Sequence, residues 1–339
     1  MRVLLVGAGA IGCFVGSRLA DVDGVEVTLV GRPGFVDAVS THGGLRVVQG
    51  EETTTVSSVT AVTEPVGGVD LVILAVKSYD TASAAEQIVA TCGTDVPVLS
   101  VQNGVGNEQT LANAGCRRVL AGSLTTPVSV LAPGTIRIDK ANSAVGLAAW
   151  SSAATPGDLD RVCGVFGRSA FATTRYDDPA SLKWTKLLLN IVGNATSAIL
   201  NQNPEEVFAE PSLVDLEIGA WREALQVMKA SAIKPVKVGS YPFNLLGPAI
   251  RVLPRFVIRP ILRSQVIGGR GDKMPSLHID VYGGRGRSEV GWLNGAIVDQ
   301  GEQVGVETPI NRLFSETVTS MVGDVGEWDA ARLVKAASA

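Results

Sequence analysis

The sequence predicts an α/β protein in which a doubly wound parallel sheet is followed by an all-helical domain. In the first half of the chain, short apolar runs rich in β-branched residues alternate with helical segments, as expected for parallel strands buried on both faces. From Pro179 onward, long helical runs replace this alternation. The length of 339 residues favours two domains. We place their boundary in the Arg175–Pro179 linker, which gives domains of residues 1–176 and 177–339.

The first βα unit carries a glycine-rich turn. Val3 to Val6 is predicted as a strand and Ile11 to Ala20 as a helix, and Gly7, Gly9 and Gly12 complete a GxGxxG pattern between them. The first glycine permits the tight turn, the second lets a pyrophosphate approach the backbone, and the third lets the helix pack on the strand. This strand–turn–helix context predicts a dinucleotide site in a Rossmann-type domain.

The same unit indicates which dinucleotide is bound. The start of the helix, at Ala10 and Ile11, offers N–H groups and a positive dipole end to the phosphates. NAD enzymes usually place Asp or Glu at the end of the second strand, but here Arg32 follows the strand Val25–Val30 and the first carboxylate comes at Asp37. An arginine suits a 2′-phosphate, so we expect NADPH. The alternative is a solvated loop arginine.

The remaining segments complete the α/β and helical pattern. In the first half we predict strands at 70–76, 96–101 and 118–123, a helix at 81–91, and antiparallel strands within 127–149 and 169–175. In the second half we predict helices at 181–200, 212–231, 288–304 and 308–322.

The composition argues against several classes of protein and site. A net charge of −4 does not favour a nucleic-acid surface. The four cysteines lie far apart and the chain has only two histidines, so we expect neither a disulfide framework nor a metal site. Because the first strand begins at residue 2, we expect no signal peptide and a cytoplasmic protein.

Two polar residues follow predicted strands of the sheet. Lys77 ends the run LVILAVK, and Asn103 lies in the QNGVG segment that follows the next strand. Ligands of open α/β sheets bind beyond the carboxyl ends of the strands, so both residues are candidates for a binding site. The alternatives are a lysine that reaches solvent and a bare Asn-Gly turn.

The helical half contains two further polar groups. Lys186, Asn190 and Asn194 lie at i, i+4 and i+8 of one predicted helix, which places them along one side. If buried they need partners, and such a lysine could donate a proton; otherwise they form an exposed polar stripe. Ser276 and Glu289 form the last group. Glu289 comes early in a predicted helix, where a carboxylate also interacts favourably with the dipole.

Together these segments resemble the ketopantoate reductase (2-dehydropantoate 2-reductase) family. The matching segments keep their order over nearly the whole chain: GAGAIG at 7–12, AVK at 75–77, QNGVG at 102–106, KLLLNIVGN at 186–194, SEVGWLNG at 288–295 and GVETPIN at 305–311. The resemblance implies a Rossmann-type domain, a helical C-terminal domain, and NADPH-dependent reduction of a small 2-oxo acid. In the family, ketopantoate is reduced to pantoate on the route to pantothenate and coenzyme A.

The resemblance also implies roles for individual residues. It implies that Lys186 is the catalytic lysine and that Glu289 is the carboxylate near the nicotinamide and the substrate. Arg32 matches the arginine that binds the 2′-phosphate. The other implied residues assist binding and catalysis or line the substrate site: Lys77, Asn103, Asn190, Asn194 and Ser276.

Two features depart from the family pattern. The family motif around the glutamate usually reads T-E-I-D, whereas residues 288–291 read S-E-V-G and lack the aspartate. The stretch from about 234 to 275 is longer than compact members require, and we expect its prolines to break any continuous helix. Its four arginines exclude an ordinary membrane span but suit an acidic partner, a larger anionic substrate or a membrane surface: Arg251, Arg255, Arg259 and Arg263. Alternatively, this insertion packs over the cleft or at a homodimer interface.

Three functional hypotheses therefore stay open. The first is a ketopantoate reductase. The second is a paralogue that reduces a different 2-oxo acid or an imine, in secondary metabolism for example, and the missing aspartate and the long insertion both support it. The third is a non-catalytic NADPH-binding sensor, against which the presence of Lys186 and Glu289 argues.

Overall fold

The protein is described by a computed structural model that covers residues 1–139, 143–270, 274–284 and 286–338, with backbone alone for 264–270. The chain forms two compact units. The first unit comprises Met1–Gln102 and Gly106–Lys183. The second comprises Asn103–Val105 and the chain from Trp184 onward.

The first unit alternates strands and helices along the chain. Its strands are β1 (Arg2–Val6), β2 (Glu26–Val30), β3 (Leu45–Gln49), β4 (Glu52–Val56), β5 (Val59–Val62), β6 (Leu71–Leu74), β7 (Val98–Ser100), β8 (Val119–Leu124), β9 (Val128–Ala132), β10 (Thr135–Ile138), β11 (Ser143–Ala149) and β12 (Phe171–Arg175). Its helices are α1 (Ala10–Leu19), α2 (Pro33–His42), α3 (Thr81–Cys92), α4 (Asn107–Asn113) and α5 (Pro156–Arg168), and α6 (Pro179–Ile191) begins in it.

Most of these strands form one eight-stranded sheet in the order β12-β11-β8-β7-β6-β1-β2-β5. The six strands from β8 to β5 in this order are parallel. The sheet is buried on both faces, since Val3 and Leu5 of β1 belong to one apolar cluster and Leu4 and Val6 to another. The strand order reverses between β1 and β6, which is where such sheets bind nucleotides. The predicted fold class is confirmed for this half.

The far edge of the sheet differs from the prediction. β11 is antiparallel to β8, as expected, but β12 is parallel to β11, so an antiparallel strand at 169–175 was wrong. The reason is α5, which the sequence analysis did not predict. A parallel neighbour needs a crossover connection, and α5 supplies it with a capping box between Thr155 and Asp158. A separate four-stranded sheet has the order β4-β3-β10-β9.

The described part of the second unit is built from helices, as predicted. It also contains a short hairpin of two-residue strands, which was not predicted. Its helices are the remainder of α6, then α7 (Asn194–Leu200), α8 (Pro204–Ala209), α9 (Pro211–Ala230), α10 (Phe243–Val252), α11 (Arg255–Arg270), α12 (Ser276–Tyr282), α13 (Asn294–Val304), α14 (Pro309–Met321) and α15 (Ala330–Ala336). The hairpin is β13 (Lys237–Val238) and β14 (Tyr241–Pro242). The mostly buried helix α9 lies at the centre, in contact with α8, α10, α11, α13, α14 and α15.

The helix predicted over 181–200 is broken in the structure. α6 ends at Ile191, and α7 begins at Asn194 after Gly193, whose φ of +61° is left-handed. The break is held from α9, because the buried carboxylate of Glu217 accepts hydrogen bonds from Gly193 N (2.9 Å) and Thr196 Oγ1 (2.7 Å). The prediction of a single helix was therefore wrong.

The prolines of the long insertion act differently from one another. Pro254 separates α10 from α11, so the insertion forms no continuous helix, as predicted, but Pro248 and Pro260 lie inside these helices without ending them. A proline leaves the carbonyl four residues earlier without its helical donor. Here those carbonyls belong to Asn244 and Phe256, two exposed residues, where water can replace the missing donor. That the insertion covers a cleft or a homodimer interface stays a prediction.

Within the described ranges, every helix is too short or too polar to cross a lipid bilayer.

Candidate functional site

The glycine-rich turn joins β1 to α1 in the first unit. Gly7 has φ +107°, and a Cβ on it would lie 2.5 Å from the backbone nitrogen of Val76. A Cβ on Gly12 would lie 2.0 Å from the carbonyl oxygen of Gly7. At Gly9, by contrast, no atom of the described residues comes within 4 Å of such a Cβ. The packing of the chain itself therefore requires the two outer glycines, whereas the space beside Gly9 is open to a ligand.

The open side of the turn carries a positive partial charge. Gly9 is the N-cap of α1, and the first turn, which contains Ala10 and Ile11, is apolar in sequence. Its backbone N–H groups and the positive end of the helix dipole are therefore available to an anion. The residues present fit a dinucleotide pyrophosphate at this turn.

Arg32 lies next to the same turn. Gly7 N and Ala8 N both donate to the carbonyl of Val30, the last residue of β2, at 3.1 and 3.0 Å. Arg32 follows as the N-cap of α2 with Pro33 in the first helical turn, and its side chain is exposed. An exposed guanidinium at this strand end fits the 2′-phosphate of NADPH better than the ribose hydroxyl of NADH.

Residues that precede and follow Lys77 in the chain belong to a buried polar network. Lys77 itself is half-buried and lies between β6 and a 3₁₀ turn. Gln102 Nε2 donates to the carbonyl of Val76 (3.0 Å) and to Thr81 Oγ1 (2.8 Å). Thr81 Oγ1 donates to Asn107 Oδ1 (3.0 Å), and Asn107 Nδ2 donates to Ser78 Oγ (3.2 Å). These bonds fix the loops that follow β6 and β7 to each other.

Lys183 of α6 belongs to this network, and the sequence analysis missed it. Its ammonium lies 2.9 Å from Glu108 Oε1 and donates to the carbonyl of Gln102 at 2.7 Å. The side chains of Lys183 and Glu108 are only 4% and 2% exposed. A lysine in an apolar helix could have indicated Lys183. The same pattern, however, was assigned to Lys186, which lies one turn later.

In the second unit, the segment Asn103–Val105 contacts both α6 and the turn that follows Glu289. Asn190 Nδ2 donates to Asn103 Oδ1 at 3.3 Å, and Val105 N donates to the carbonyl of Trp292 at 3.1 Å. Gly104 has φ +80°, and a Cβ on it would lie 2.5 Å from that carbonyl oxygen. Glycine is therefore required here for a close approach of two backbones.

Asn194 joins this group to α12. Its Nδ2 donates to the carbonyl of Asn190 (3.0 Å) and to Ser276 Oγ (3.3 Å), and its Oδ1 accepts from Leu277 N (3.0 Å). Asn194 is 4% exposed. It thus reaches its neighbours from the start of α7 and not from the same helix as Asn190, contrary to the prediction.

Glu289 is tied to the other end of α12. The fully buried Asp280 accepts a hydrogen bond from Glu289 N through its Oδ2, at 3.2 Å. Glu289 is itself buried and precedes a three-residue 3₁₀ turn, and α13 begins only at Asn294. The expectation that Glu289 starts a helix was therefore wrong, and so short a turn has little dipole for it to stabilise. Asp280 was also missed, although an aspartate among apolar residues of a short helix is a signal for a buried partner.

The second unit therefore joins several predicted site residues in one hydrogen-bonded series: Asn103, Asn190, Asn194 and Ser276. Lys186 is half-buried on α6, one turn before Asn190, and residues four apart share a helix face. This arrangement presents an ammonium, three amides and a hydroxyl close together, with a buried carboxylate on the adjoining turn.

The cysteine next to the glycine turn takes no part in this chemistry. Burial raises the pKa of the Cys13 thiol to about 12, so the thiol stays protonated and a poor nucleophile. All four cysteines are free thiols.

Comparison with known proteins agrees with this arrangement. Residues 3–151 match the sequence model of "Ketopantoate reductase PanE/ApbA", and residues 179–322 match its C-terminal counterpart. A 2-dehydropantoate 2-reductase of Halobacterium salinarum is 30% identical over 324 residues, which cover 94% of this chain and 98% of the relative. That of Pyrococcus horikoshii is 28% identical over 319 residues, covering 93% and 95%.

Solved structures show the same fold. A PanE/ApbA family ketopantoate reductase from Ralstonia eutropha JMP134 has a TM-score of 0.80 at 27% identity, with 96% of this chain and 99% of that chain covered. A D-mandelate dehydrogenase solved with NADH and anilino(oxo)acetate has a TM-score of 0.79 at 20% identity, covering 97% and 100%, and shares the fold. With both halves matched by the family's sequence models, this chain belongs to the ketopantoate reductase PanE/ApbA family.

Proposed function

We propose that this protein is a cytoplasmic, NADPH-dependent reductase of a small 2-oxo acid, and that ketopantoate, reduced to pantoate for pantothenate biosynthesis, is its substrate. The observation that carries the proposal is the hydrogen-bonded series from Asn103 through Asn190 and Asn194 to Ser276, with Lys186 on the same helix as Asn190. The relatives named 2-dehydropantoate 2-reductase, aligned over more than nine tenths of the chain, support the choice of substrate.

The proposed reaction uses Lys186 as the proton donor. A bound reduced nicotinamide would supply a hydride to the carbonyl carbon of the substrate, and negative charge would then develop on the carbonyl oxygen. The Lys186 ammonium stabilises that charge and gives up a proton from Nζ to form the hydroxyl. The balanced reaction converts the 2-oxo acid, NADPH and one proton to the 2-hydroxy acid and NADP⁺.

The other polar groups bind the two ends of the substrate. The Ser276 hydroxyl and the second N–H of the Asn190 amide offer hydrogen-bond donors to the substrate carboxylate. Asn194, which donates to Ser276 Oγ and to the Asn190 carbonyl, holds these two groups in place. Glu289 offers an acceptor to the hydroxyl that is formed, and Asn103 assists binding from the loop after β7. In this proposal residues 1–176 hold the coenzyme through the glycine turn, Arg32 and Lys77, and residues 177–339 hold the substrate.

The test is turnover with a panel of 2-oxo acids, followed by the loss of reduced-nicotinamide absorbance with NADPH and with NADH. Lys186→Ala is the matched variant, and we expect its kcat to fall at least about 100-fold with the melting temperature unchanged. Tight NADPH binding without turnover of any 2-oxo acid would refute the proposal and favour the NADPH-binding sensor.

A second candidate substrate is favoured by Gly291, which stands where the family motif usually has aspartate. Gly291 is exposed, and nothing among the described residues lies within 4 Å of a Cβ built on it. Packing therefore does not force a glycine here, and the missing carboxylate fits a paralogue that reduces a different 2-oxo acid or an imine. For such a paralogue, ketopantoate is a poor substrate and Gly291→Asp, which should fold normally, raises kcat/KM for it. A wild-type protein that already prefers ketopantoate excludes this second candidate.

A further inference from the structure

We propose that Lys183 is a positioning residue for the reaction above: its buried ammonium holds the Gln102 peptide and thereby sets the place of Asn103. The inference rests on the proposed function for its catalytic consequence, but its structural part can be tested independently. Lys183 does not act on substrate or coenzyme in this proposal.

Burying the charges of Lys183 and Glu108 has a cost in free energy. Lys183 and Glu108 are almost completely buried, and removing an ion pair from water costs about as much as its attraction returns. An apolar pair of similar volume would serve stability equally well or better. An apolar side chain, however, could not donate to the Gln102 carbonyl, which Lys183 Nζ contacts at 2.7 Å.

The Gln102 carbonyl is part of the peptide that joins Gln102 to Asn103. The Gln102 carbonyl and the Asn103 nitrogen belong to one planar peptide unit, so a fixed carbonyl fixes the backbone where Asn103 begins. The side chain of Gln102 is held as well, by Val76 O and Thr81 Oγ1. Asn103 then accepts from Asn190 at 3.3 Å. Gln102 is thus held by its side chain and its carbonyl, and of these two the carbonyl depends on Lys183.

The position of Lys183 in α6 also links it to Lys186. It lies one turn before Lys186 in a continuous helix. The same ammonium therefore ties the start of the helix that carries the proposed proton donor to the peptide that precedes Asn103. A change at Lys183 should disturb both groups, and we expect it to lower kcat more than it raises KM.

The experiment compares Lys183→Met with Glu108→Gln and with the double variant. Lys183→Met and Glu108→Gln break the same ion pair, but only the former removes the donor from the Gln102 carbonyl. The double variant removes both charges, so it also serves if Lys183→Met fails to fold. The readouts are melting temperature, NADPH affinity, kcat and KM with an active 2-oxo acid, and amide hydrogen exchange of peptides that cover residues 101–106.

We expect both single variants to melt at lower temperature and the double variant to regain most of the loss. Lys183→Met and the double variant should lose at least about tenfold in kcat, keep the NADPH affinity within about twofold, and exchange faster over 101–106. Glu108→Gln should keep wild-type kcat and exchange. A double variant with wild-type kcat and wild-type exchange over 101–106 overturns the proposal. Faster local exchange in a protein that reduces no 2-oxo acid supports the structural role of Lys183 while refuting the proposed function.

Discussion

Substituting alanine at two glycines of the same turn should damage two different properties of the protein. Gly7 has φ +107°, and a Cβ there would lie 2.5 Å from Val76 N, a backbone atom. Gly9 has φ −85°, and its Cβ position is open among the described residues. We therefore expect Gly7→Ala to lower stability and Gly9→Ala to lower coenzyme affinity alone.

The magnitudes follow from these geometries. A side chain in a sparsely populated backbone region costs about 1–3 kcal/mol, and the clash with Val76 N adds to that cost because β6 must shift. At about 2–4 °C per kcal/mol for a unit of this size, the backbone strain alone should lower the melting temperature of Gly7→Ala by about 2–12 °C, and the clash should lower it further. Gly9→Ala should melt at the wild-type temperature or slightly above, because alanine restricts the unfolded chain.

The assays are thermal unfolding without coenzyme and NADPH titration monitored by reduced-nicotinamide fluorescence. We expect Gly9→Ala to weaken NADPH at least tenfold, about 1.4 kcal/mol, since the added methyl group occupies the space that the pyrophosphate would approach. Wild-type affinity in Gly9→Ala would show that the phosphates bind elsewhere. An unchanged melting temperature in Gly7→Ala would refute the steric argument.

Three further predictions concern charged residues. Arg32→Asp should weaken NADPH by about 1.5–3 kcal/mol and improve NADH, and equal wild-type kinetics with both coenzymes would contradict this. Glu289→Ala should lower kcat/KM at least tenfold with a nearly unchanged melting temperature, and an unchanged kcat/KM would remove Glu289 from the site. Burial tends to raise the pKa of Asp158, but hydrogen bonds from Arg118 and Thr155 hold that pKa below the ordinary value of an aspartate. A carboxylate whose pKa is lower in the folded than in the unfolded protein contributes its full stabilisation above the unfolded-state pKa. That stabilisation is lost as the pH falls through the folded-state pKa. Asp158→Asn should thus cost about 2–4 kcal/mol at neutral pH, and urea unfolding should show a smaller difference below about pH 4; a constant difference would argue against a role for the charge.

The sequence could predict the structural features that follow from local backbone geometry. Gly12 closely approaches the Gly7 carbonyl within the first βα unit, and the φ of +107° at Gly7 belongs to the same turn, so the turn and its neighbouring elements were predictable from one short segment. The break in the α6 region was not, because it depends on Glu217, which holds Gly193 from another helix. Periodicity describes a helix by itself and contains no information about a carboxylate that arrives from elsewhere in the chain.

The same limit separates the two lysines of α6. Lys183 and Lys186 stand in the same apolar helix, and the sequence singled out only Lys186, through its spacing from Asn190 and Asn194 and the family resemblance. In the structure, what distinguishes them is the partners of Lys183, since Glu108 at the start of α4 and the Gln102 carbonyl come from far earlier in the chain. An ammonium that contacts a buried carboxylate and a peptide carbonyl at once is suited to hold that peptide in place. In the proposed function the half-buried Lys186 is the lysine that meets the substrate, and Lys183 positions the peptide before Asn103. We therefore expect burial of the partner, more than the lysine itself, to separate the two roles.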